Sequence, residues 1–152
     1  MKPPIATIEL LIRRPAGDAY RAFVEPEILT KFWLRRASEP LSLNRSVRWE
    51  FLVAGAAARV TVRELKENQR IGTVWDDDTT IDFTFREIEP ALTLVGVTQA
   101  GFQGSPDEVV AKALDATQGF TLVLCELKAL LEKNVSLDAV ADKARWIEQA
   151  PG

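Results

Sequence analysis

Residues 105–133, SPDEVVAKALDATQGFTLVLCELKALLEK, are the stretch of sequence that decides the fold. The stretch opens with a helix start signal: Ser105 is favoured at an N-cap, Pro106 suits the first helical position, and Glu108 completes a capping box. Lys133 places positive charge at the far end, where the helix dipole favours it. At 1.5 Å per residue the pattern predicts a helix of roughly 40 Å, long enough to cross a whole sheet.

Six strand-like runs precede this helix, and in most of them apolar residues alternate with polar ones, as in half-buried strands. The runs cover residues 5–12, 47–53, 58–63, 70–76, 81–86 and 92–99. Two short helices are predicted after the first run, at 18–24 and 26–33. Short turns between the later runs indicate an antiparallel meander that curls as it twists, so its concave side needs a cover. The sequence therefore predicts an α+β fold, in which a curved antiparallel sheet of six to seven strands wraps around a long C-terminal helix.

Composition limits the classes of function. The chain has 152 residues, of which 47% are hydrophobic and 27% charged, and its formal net charge of -3 argues against nucleic-acid binding. No apolar stretch approaches 18 residues, so stable membrane insertion is not expected. Cys125 is the sole cysteine, which excludes an intrachain disulfide. With an N-terminus unlike a signal peptide, these features favour a cytoplasmic location.

Strand parity predicts that one face of the sheet is apolar and rich in aromatic residues. The residues on this face are Trp49, Phe51, Val60, Val62, Phe83 and Phe85. The long helix turns towards them Val110, Ala113, Thr117, Phe120, Leu124 and Leu127. Gly119 lies mid-helix, where glycine costs about 1 kcal/mol relative to alanine, so close backbone approach or room for a ligand should compensate. A packed core and an open cavity of roughly a few hundred Å³ are both compatible with this pattern.

Titratable groups suited to catalysis are scarce on this face. The chain has no histidine, which removes the commonest acid–base residue. Glu64 and Glu87 continue the inward phase of their strands and are weak candidates for a catalytic carboxylate, although carboxylates at strand ends are usually solvated. The acidic run 76–78 lacks the glycine and the distant glutamate of a calcium loop. A hairpin turn is predicted there, and neither a metal nor a cofactor.

The chain after Asn134 predicts a further helix, for which Ser136 suits the N-cap. Apolar residues follow at helical spacing, namely Leu137, Val140, Ala141, Ala144 and Ile147, and Trp146 adds to the apolar surface. Three residues of the long helix lie off its sheet-facing stripe and need a cover: Leu122, Val123 and Leu130. We expect the tail to supply this cover within the same chain. The alternative is a second subunit, and therefore a homodimer.

Several segments carry a family resemblance: Arg14-Pro15, Ala19–Phe23, Pro26-Glu27, Lys31–Trp33, Val47–Phe51, Ala100–Phe102 and Thr117–Leu124. They resemble the START-like helix-grip superfamily, also called SRPBCC, and within it the group named after the C-terminal domain of the heat-shock chaperone ATPase activator. The resemblance covers about residues 5–135 and implies a helix-grip domain over residues 1–135. From the apolar pattern of the tail, we expect residues 136–152 to be a helical extension packed on the same domain. The resemblance also implies that apolar ligands bind between the sheet and the long helix, but it does not specify an activity.

We therefore expect non-catalytic binding of an apolar small molecule or lipid-like ligand in a cavity between the sheet and the long helix. The expected ligand-binding residues are Trp33, Trp49, Phe51, Val60, Val62, Trp75, Phe83, Phe85, Phe102, Thr117, Phe120 and Leu124. One alternative is a polyketide-cyclase-like or hydrolase-like enzyme that uses a cavity carboxylate. Another, implied by the resemblance, is a co-chaperone-like interaction module with a chaperone partner.

Overall fold

A computed structural model describes residues 2–149. The strands are β1 Ala6–Ile12, β2 Arg36–Ala37, β3 Ser46–Glu50, β4 Ala57–Lys66, β5 Arg70–Trp75, β6 Thr80–Glu89 and β7 Leu92–Ala100. The helices are α1 Ala16–Val24, α2 Pro26–Phe32, α3 Pro106–Lys133 and α4 Ala139–Gln149. The strands form one antiparallel sheet in the order β1-β7-β6-β5-β4-β3-β2, curled over α3. The predicted α+β architecture is therefore confirmed.

Several element boundaries differ from the sequence-based prediction. The strand expected over 47–53 ends at Glu50, because the Phe51 amide donates to the Ala56 carbonyl at 2.9 Å and closes a loop there. Gly55, with φ of 78°, sits inside that loop, where a left-handed backbone favours glycine. The first short helix begins at Ala16 rather than at residue 18. The two-residue strand β2 was too short to give a periodic signal.

The ends of α3 have the predicted capping groups. The Ser105 hydroxyl accepts from the Glu108 amide and the Glu108 carboxylate accepts from the Ser105 amide, both at 3.2 Å. Hydrogen bonding with Ser105 lowers the pKa of Glu108. At the other end, Asn134 adopts a left-handed conformation with φ of 52° and its amide donates to Ala129 and Leu130. The boundaries of α3 thus follow from local sequence.

Aromatic side chains fill the space where α1 and α2 meet the concave face of the sheet. Phe23 of α1 lies 4.7 Å from Phe83 and 5.5 Å from Phe32, measured between ring centroids. Trp33, directly after α2, packs edge-on against Trp49 at 5.1 Å. Helices as short as α1 and α2 are marginal in isolation, so this packing is what holds them in place.

The C-terminal end of α3 is tied to β1 by hydrogen bonds. The Glu132 carboxylate accepts from the Arg13 amide and from Lys128 Nζ, each at 2.7 Å, and Lys128 Nζ also donates to the Leu11 carbonyl at 2.7 Å. Burial acts to raise the pKa of Glu132, but the hydrogen bonds from Lys128 and Arg13 outweigh it, and the pKa is lowered. These contacts hold the last turns of α3 against the edge strand.

The tail packs back on α3 as the helix α4. Ala144 is buried, and Val140 packs against the core, whereas Trp146 is 71% exposed. The helix begins at Ala139 rather than after Ser136, because Asp138 has a positive φ of 56° that interrupts the helical backbone. Leu122, Val123 and Leu130 of α3 are all at least half-buried.

Glu126 of α3 anchors the linker before α4. Its side chain is buried, with 4% exposure, and accepts from the Leu137 amide at 2.6 Å and from the Ser136 hydroxyl at 3.3 Å. A buried carboxylate is tolerated when hydrogen-bond donors compensate its lost hydration. Glu126 therefore fixes where the tail leaves α3 and how α4 lies along it.

We predict a pH-dependent effect for Glu132→Gln. A carboxylate whose pKa is lowered by folding adds stability above its unfolded pKa of about 4.3, and this stability is lost as the pH falls through the folded pKa. The variant should be less stable than the wild type at pH 7, and the difference should shrink below about pH 4. Urea unfolding between pH 7 and pH 3 measures it. In a Lys128→Met background the pH-dependent difference should be smaller; a difference that stays constant with pH would contradict the assignment.

Replacing Glu126 should loosen the tail. Glu126→Ala removes both acceptors and is expected to lower the free energy of unfolding by about 1–3 kcal/mol. Glu126→Gln keeps one acceptor for the Leu137 amide and should lose less than the alanine variant. Urea unfolding measures stability, and hydrogen exchange of amides 136–149 reports the attachment of the tail. Unchanged exchange in the alanine variant would show that Glu126 does not hold α4.

Candidate functional site

An open pocket of about 610 Å³ lies beside α3, between the sheet and α4. We call it the α3–α4 pocket. Its walls are formed by α3 around Gly119, by the start of β6 and the end of β7, by residues 51–53, and by one face of α4. The volume falls within the range that proteins use for small-molecule sites.

The floor and inner wall of the pocket are aromatic. The aromatic residues that line it are Trp33, Phe51, Trp75, Phe102 and Phe120. Phe51 and Trp33 both stack on Trp75, with ring centroids 5.9 and 6.4 Å apart and interplanar angles of 23° and 26°. Phe120 of α3 meets Trp33 edge-on at 5.7 Å. These rings offer a flat apolar surface that buries well against a hydrophobic ligand.

Small and aliphatic residues of α3 and α4 form the sides of the pocket. A Cβ added at Gly119 would meet no heavy atom within 4 Å outside its own helix, so this glycine borders open space rather than a close backbone contact. Val140, Ala144 and Ile147 of α4 face it across the gap. The Ala54 amide donates to Glu148 Oε1 at 2.7 Å, which joins the 51–56 loop to α4.

One end of the pocket is polar and internally hydrogen-bonded. Gln99 Nε2 donates to Thr79 Oγ1 at 3.1 Å, and the Thr79 hydroxyl donates to Asp77 Oδ1 at 2.6 Å. Trp75 Nε1 donates to Thr73 Oγ1 at 2.9 Å, and the Thr73 hydroxyl donates to the Ile81 carbonyl at 2.6 Å. Each of these buried donors therefore has an acceptor within the protein.

The structure places eleven of the twelve expected ligand-binding residues in two groups, and Thr117 lies apart from both. Five of them, the aromatic residues named above, line the pocket. Six others lie in the packed core and do not line it: Trp49, Val60, Val62, Phe83, Phe85 and Leu124. Thr117 is half-buried on α3, and its hydroxyl donates to the Ala113 carbonyl at 2.7 Å. Strand parity indicates the face on which a residue lies but not how deeply it is buried. Phe23 of α1 and Trp33, directly after α2, pack against Phe83 in the core.

The orientation of α3 differs in part from its predicted stripe. Val110 was expected to face the sheet but is 46% exposed. Val123 was placed off the stripe, yet it is 4% exposed and lines the pocket. The two stripe residues that are fully buried, Leu124 and Leu127, both lie in the second half of the helix.

Neither candidate carboxylate lies in the pocket. Glu64 follows a β-bulge after Val62, which breaks the inward phase, and it pairs with Lys66 and Arg70 at 3.5 and 3.4 Å on the surface. Glu87 accepts from the Ala16 amide at 2.8 Å and so caps the start of α1. Both carboxylates have structural contacts that sequence phase could not reveal.

The remaining buried polar groups that the structure describes have packing roles rather than a catalytic or metal-binding arrangement. Tyr20 packs edge-on against Phe85 at 5.8 Å, and burial, with a smaller contribution from Glu67, raises its pKa. Among residues 2–149, no three His, Cys, Asp or Glu side chains lie close enough together to hold a metal ion. In the same part of the chain, Trp49 Nε1 is the one fully enclosed side-chain polar atom without a hydrogen-bond partner. Its ring lies edge-on to Trp75 at 88°, an arrangement in which an indole N–H can interact with a π face.

Sequence reasoning missed the contribution of α4 and the polar end of the pocket. The sequence predicted Ala144 and Ile147 as part of a cover for α3, not as a wall of the pocket. Lys143 was not predicted to have a role. Gln99 was missed because residues 92–99 lack the clean alternation of apolar and polar residues that would indicate which side chains face inward. A signal existed, since Val95, Val97 and Gln99 share one parity, so the glutamine continues an apolar inward row.

Comparison with known proteins places the fold. A family model described as Activator of Hsp90 ATPase homolog 1-like protein matches residues 13–132. The crystal structure of SSP2350 from Staphylococcus saprophyticus superposes with a TM-score of 0.76 at 25% identity, covering 88% of this chain and 95% of that one. A comparison with curated proteins gives no match.

None of the described helices has the length and hydropathy that a membrane span requires.

Two further solved structures share the fold at lower identity. The Aha1 dimer from Colwellia psychrerythraea has a TM-score of 0.74 at 18% identity, covering 85% of this chain and 96% of that one. DynU16, encoded in the dynemicin biosynthetic locus, has a TM-score of 0.76 at 14% identity, covering 89% of this chain and 49% of that one. At these identities the likeness shows the architecture alone.

Two glycine-to-alanine variants should change stability in opposite directions. Gly119→Ala adds a methyl group to open space in a helix and is expected to raise the free energy of unfolding by about 0.5–1 kcal/mol. Gly101→Ala is the control, because Gly101 has φ of 84° and its added Cβ would lie 3.2 Å from the Asp78 carbonyl oxygen. It should lose about 1–2 kcal/mol. Urea unfolding of both variants measures the difference; a destabilised Gly119→Ala would mean that the space beside this glycine is filled.

Proposed function

The chain belongs to the family of Activator of Hsp90 ATPase homolog 1-like proteins, which confirms the resemblance found in its sequence, and we propose that its α3–α4 pocket binds an apolar small molecule or lipid-like ligand without catalysis. The observation that carries this proposal is the gap beside Gly119. A mid-helix glycine lowers helix stability, and here it faces aromatic rings across unfilled space. Between Asp115 and Phe120, the residues with which α3 lines the gap are the small Ala116 and Gly119.

Burial of apolar surface would supply most of the affinity. The stacked rings of Phe51, Trp75 and Trp33 provide a continuous apolar surface in the pocket. At roughly 25 cal/mol per Å², a ligand that removes about 150 Å² of this surface from water gains about 4 kcal/mol from it, before the cost of association. An aromatic or polycyclic ligand matches the flat wall better than a short polar one does.

The sequence-based alternatives have less support from the site. The enzyme alternative rested on Glu64 and Glu87, which lie away from the pocket and have structural contacts. The carboxylates that do line the pocket, those of Asp77 and Asp115, belong to exposed residues at its rim, where desolvation is small. The co-chaperone-like alternative draws on the family description and on no contact within this chain. It remains a prediction, as does the cytoplasmic location.

A homodimer also remains a prediction. The Colwellia psychrerythraea neighbour was solved as a dimer, which fits such an assembly. In this chain Trp146 and Leu114 are 71% and 67% exposed. Exposed apolar side chains are common on monomers, and the proposed ligand site is formed by residues of this chain alone.

Blocking the gap at Gly119 tests the proposal. N-phenyl-1-naphthylamine, an uncharged probe whose emission rises when it leaves water, should bind the wild-type protein saturably. Gly119→Phe places a ring in the open space and should weaken binding at least about tenfold, equivalent to about 1.4 kcal/mol. Native mass spectrometry of the freshly purified wild type would show any molecule that copurifies.

A matched variant separates pocket filling from surface hydrophobicity. Leu114→Phe adds apolar bulk to an exposed position of the same helix, outside the pocket, and should leave probe affinity unchanged. Circular dichroism should confirm that both variants keep the fold. If folded Gly119→Phe binds the probe as well as the wild type does, the pocket is not the binding site. If the wild type binds neither the probe nor any copurifying molecule, the proposed function fails.

A further inference from the structure

Gln99 is a polar residue in an otherwise apolar inward row of β7. Its strand partners are Ala6 of β1 and Ile81 of β6, and it follows Val95 and Val97 on the concave face. The side chain is 8% exposed and lines the α3–α4 pocket. A buried amide at such a position lowers stability unless hydrogen bonds compensate, so its contacts decide what it does.

The direction of the hydrogen bonds around Gln99 is fixed by Asp77. The Asp77 carboxylate, which can only accept, receives the Thr79 amide at 3.0 Å and the Thr79 hydroxyl at 2.6 Å. The hydroxyl has one proton, and it is used in this contact. Towards Gln99 the Thr79 oxygen must therefore accept, which requires the NH₂ group of the glutamine at the 3.1 Å contact.

This assignment leaves the carbonyl oxygen of Gln99 available. Across residues 2–149 no protein donor contacts Oε1 of Gln99, and this oxygen is not among the fully enclosed atoms without a partner. Oε1 is therefore not fully enclosed, and the side chain that carries it lines the pocket. Gln99 thus offers a hydrogen-bond acceptor, oriented by Thr79, beside the aromatic wall.

From this arrangement we infer that the pocket selects an uncharged, ring-sized apolar ligand carrying a hydroxyl group, which donates to Gln99 Oε1. The inference rests on the proposed binding function. A deprotonated anionic group has no proton to donate to the Gln99 oxygen, whereas a hydroxyl group has one.

A matched ligand pair measures this preference. 2-Naphthol has the hydroxyl donor, whereas 2-methoxynaphthalene has the same ring system and no donor. Competition against N-phenyl-1-naphthylamine gives the affinity of each ligand, and the ratio of the two affinities is the preference. Since a hydrogen bond of this kind contributes a net factor of about three to ten, Gln99→Leu should reduce the preference for the naphthol by that factor.

The control variant is Gln103→Leu. Gln103 also lines the pocket, but it is exposed, and its side-chain amide donates to the Gly101 carbonyl at 2.8 Å. Its replacement should leave the preference unchanged. Should Gln99→Leu not fold, the side-chain amide resonances of Gln99 in the wild type provide the readout. They should shift with 2-naphthol more than with the ether.

The possible outcomes separate the two proposals. If both ligands displace the probe and the preference is equal in wild type and Gln99→Leu, ligand binding stands and the role of Gln99 is overturned. If the preference moves with Gln103→Leu instead, the acceptor has been assigned to the wrong residue. If the wild type binds neither the probe nor any copurifying molecule, the binding function and the inference fall together.

Discussion

The packing of Trp33 between the sheet and α3 is the contact on which the rest of the structure depends. Its ring lies 5.1 Å from Trp49 of β3 and 5.7 Å from Phe120 of α3, so it joins the two main layers of the fold. The seven-residue helix α2 ends at this tryptophan and is too short to be stable without it. On one side of the ring lies the packed core, and on the other lies the pocket.

The pocket exists because α3 contacts the sheet along only part of its length. Leu124 and Leu127 are fully buried against the concave face, whereas Ala116 and Gly119, one to two turns earlier, are too small to reach it. The tail helix then spans the remaining gap, since the buried Glu126 holds its linker against α3. The volume of the pocket is therefore set by small residues on one helix and by the attachment of another.

The polar groups near the pocket are arranged so that few are left without partners. Thr73 accepts from the Trp75 indole, and Thr79 accepts from the Gln99 amide and donates to Asp77. Buried networks of this kind give a unique geometry because each hydroxyl has a single proton to donate. They also explain how an apolar face can include threonine and glutamine without a large loss of stability.

The sequence by itself determined the order of the elements, the two ends of α3 and the face of the sheet that is apolar. These features depend on local chemistry: Ser105 and Glu108 cap the helix through groups three residues apart, and alternation along a strand repeats every two residues. The sequence was compatible both with a packed core and with an open cavity beside Gly119. Even the family resemblance rests on such short local segments.

Only the tertiary structure decided which apolar residues form the core and which border the pocket. Phe83 and Phe51 have the same predicted facing, yet Phe83 is enclosed by rings from α1 and α2, while Phe51 lies beyond the end of β3 and stacks on Trp75. The position of α4, the capping role of Glu87 and the free oxygen of Gln99 likewise arise from contacts between residues far apart in the chain. Periodicity carries no information about such contacts, because depth and partner depend on how whole elements pack against each other.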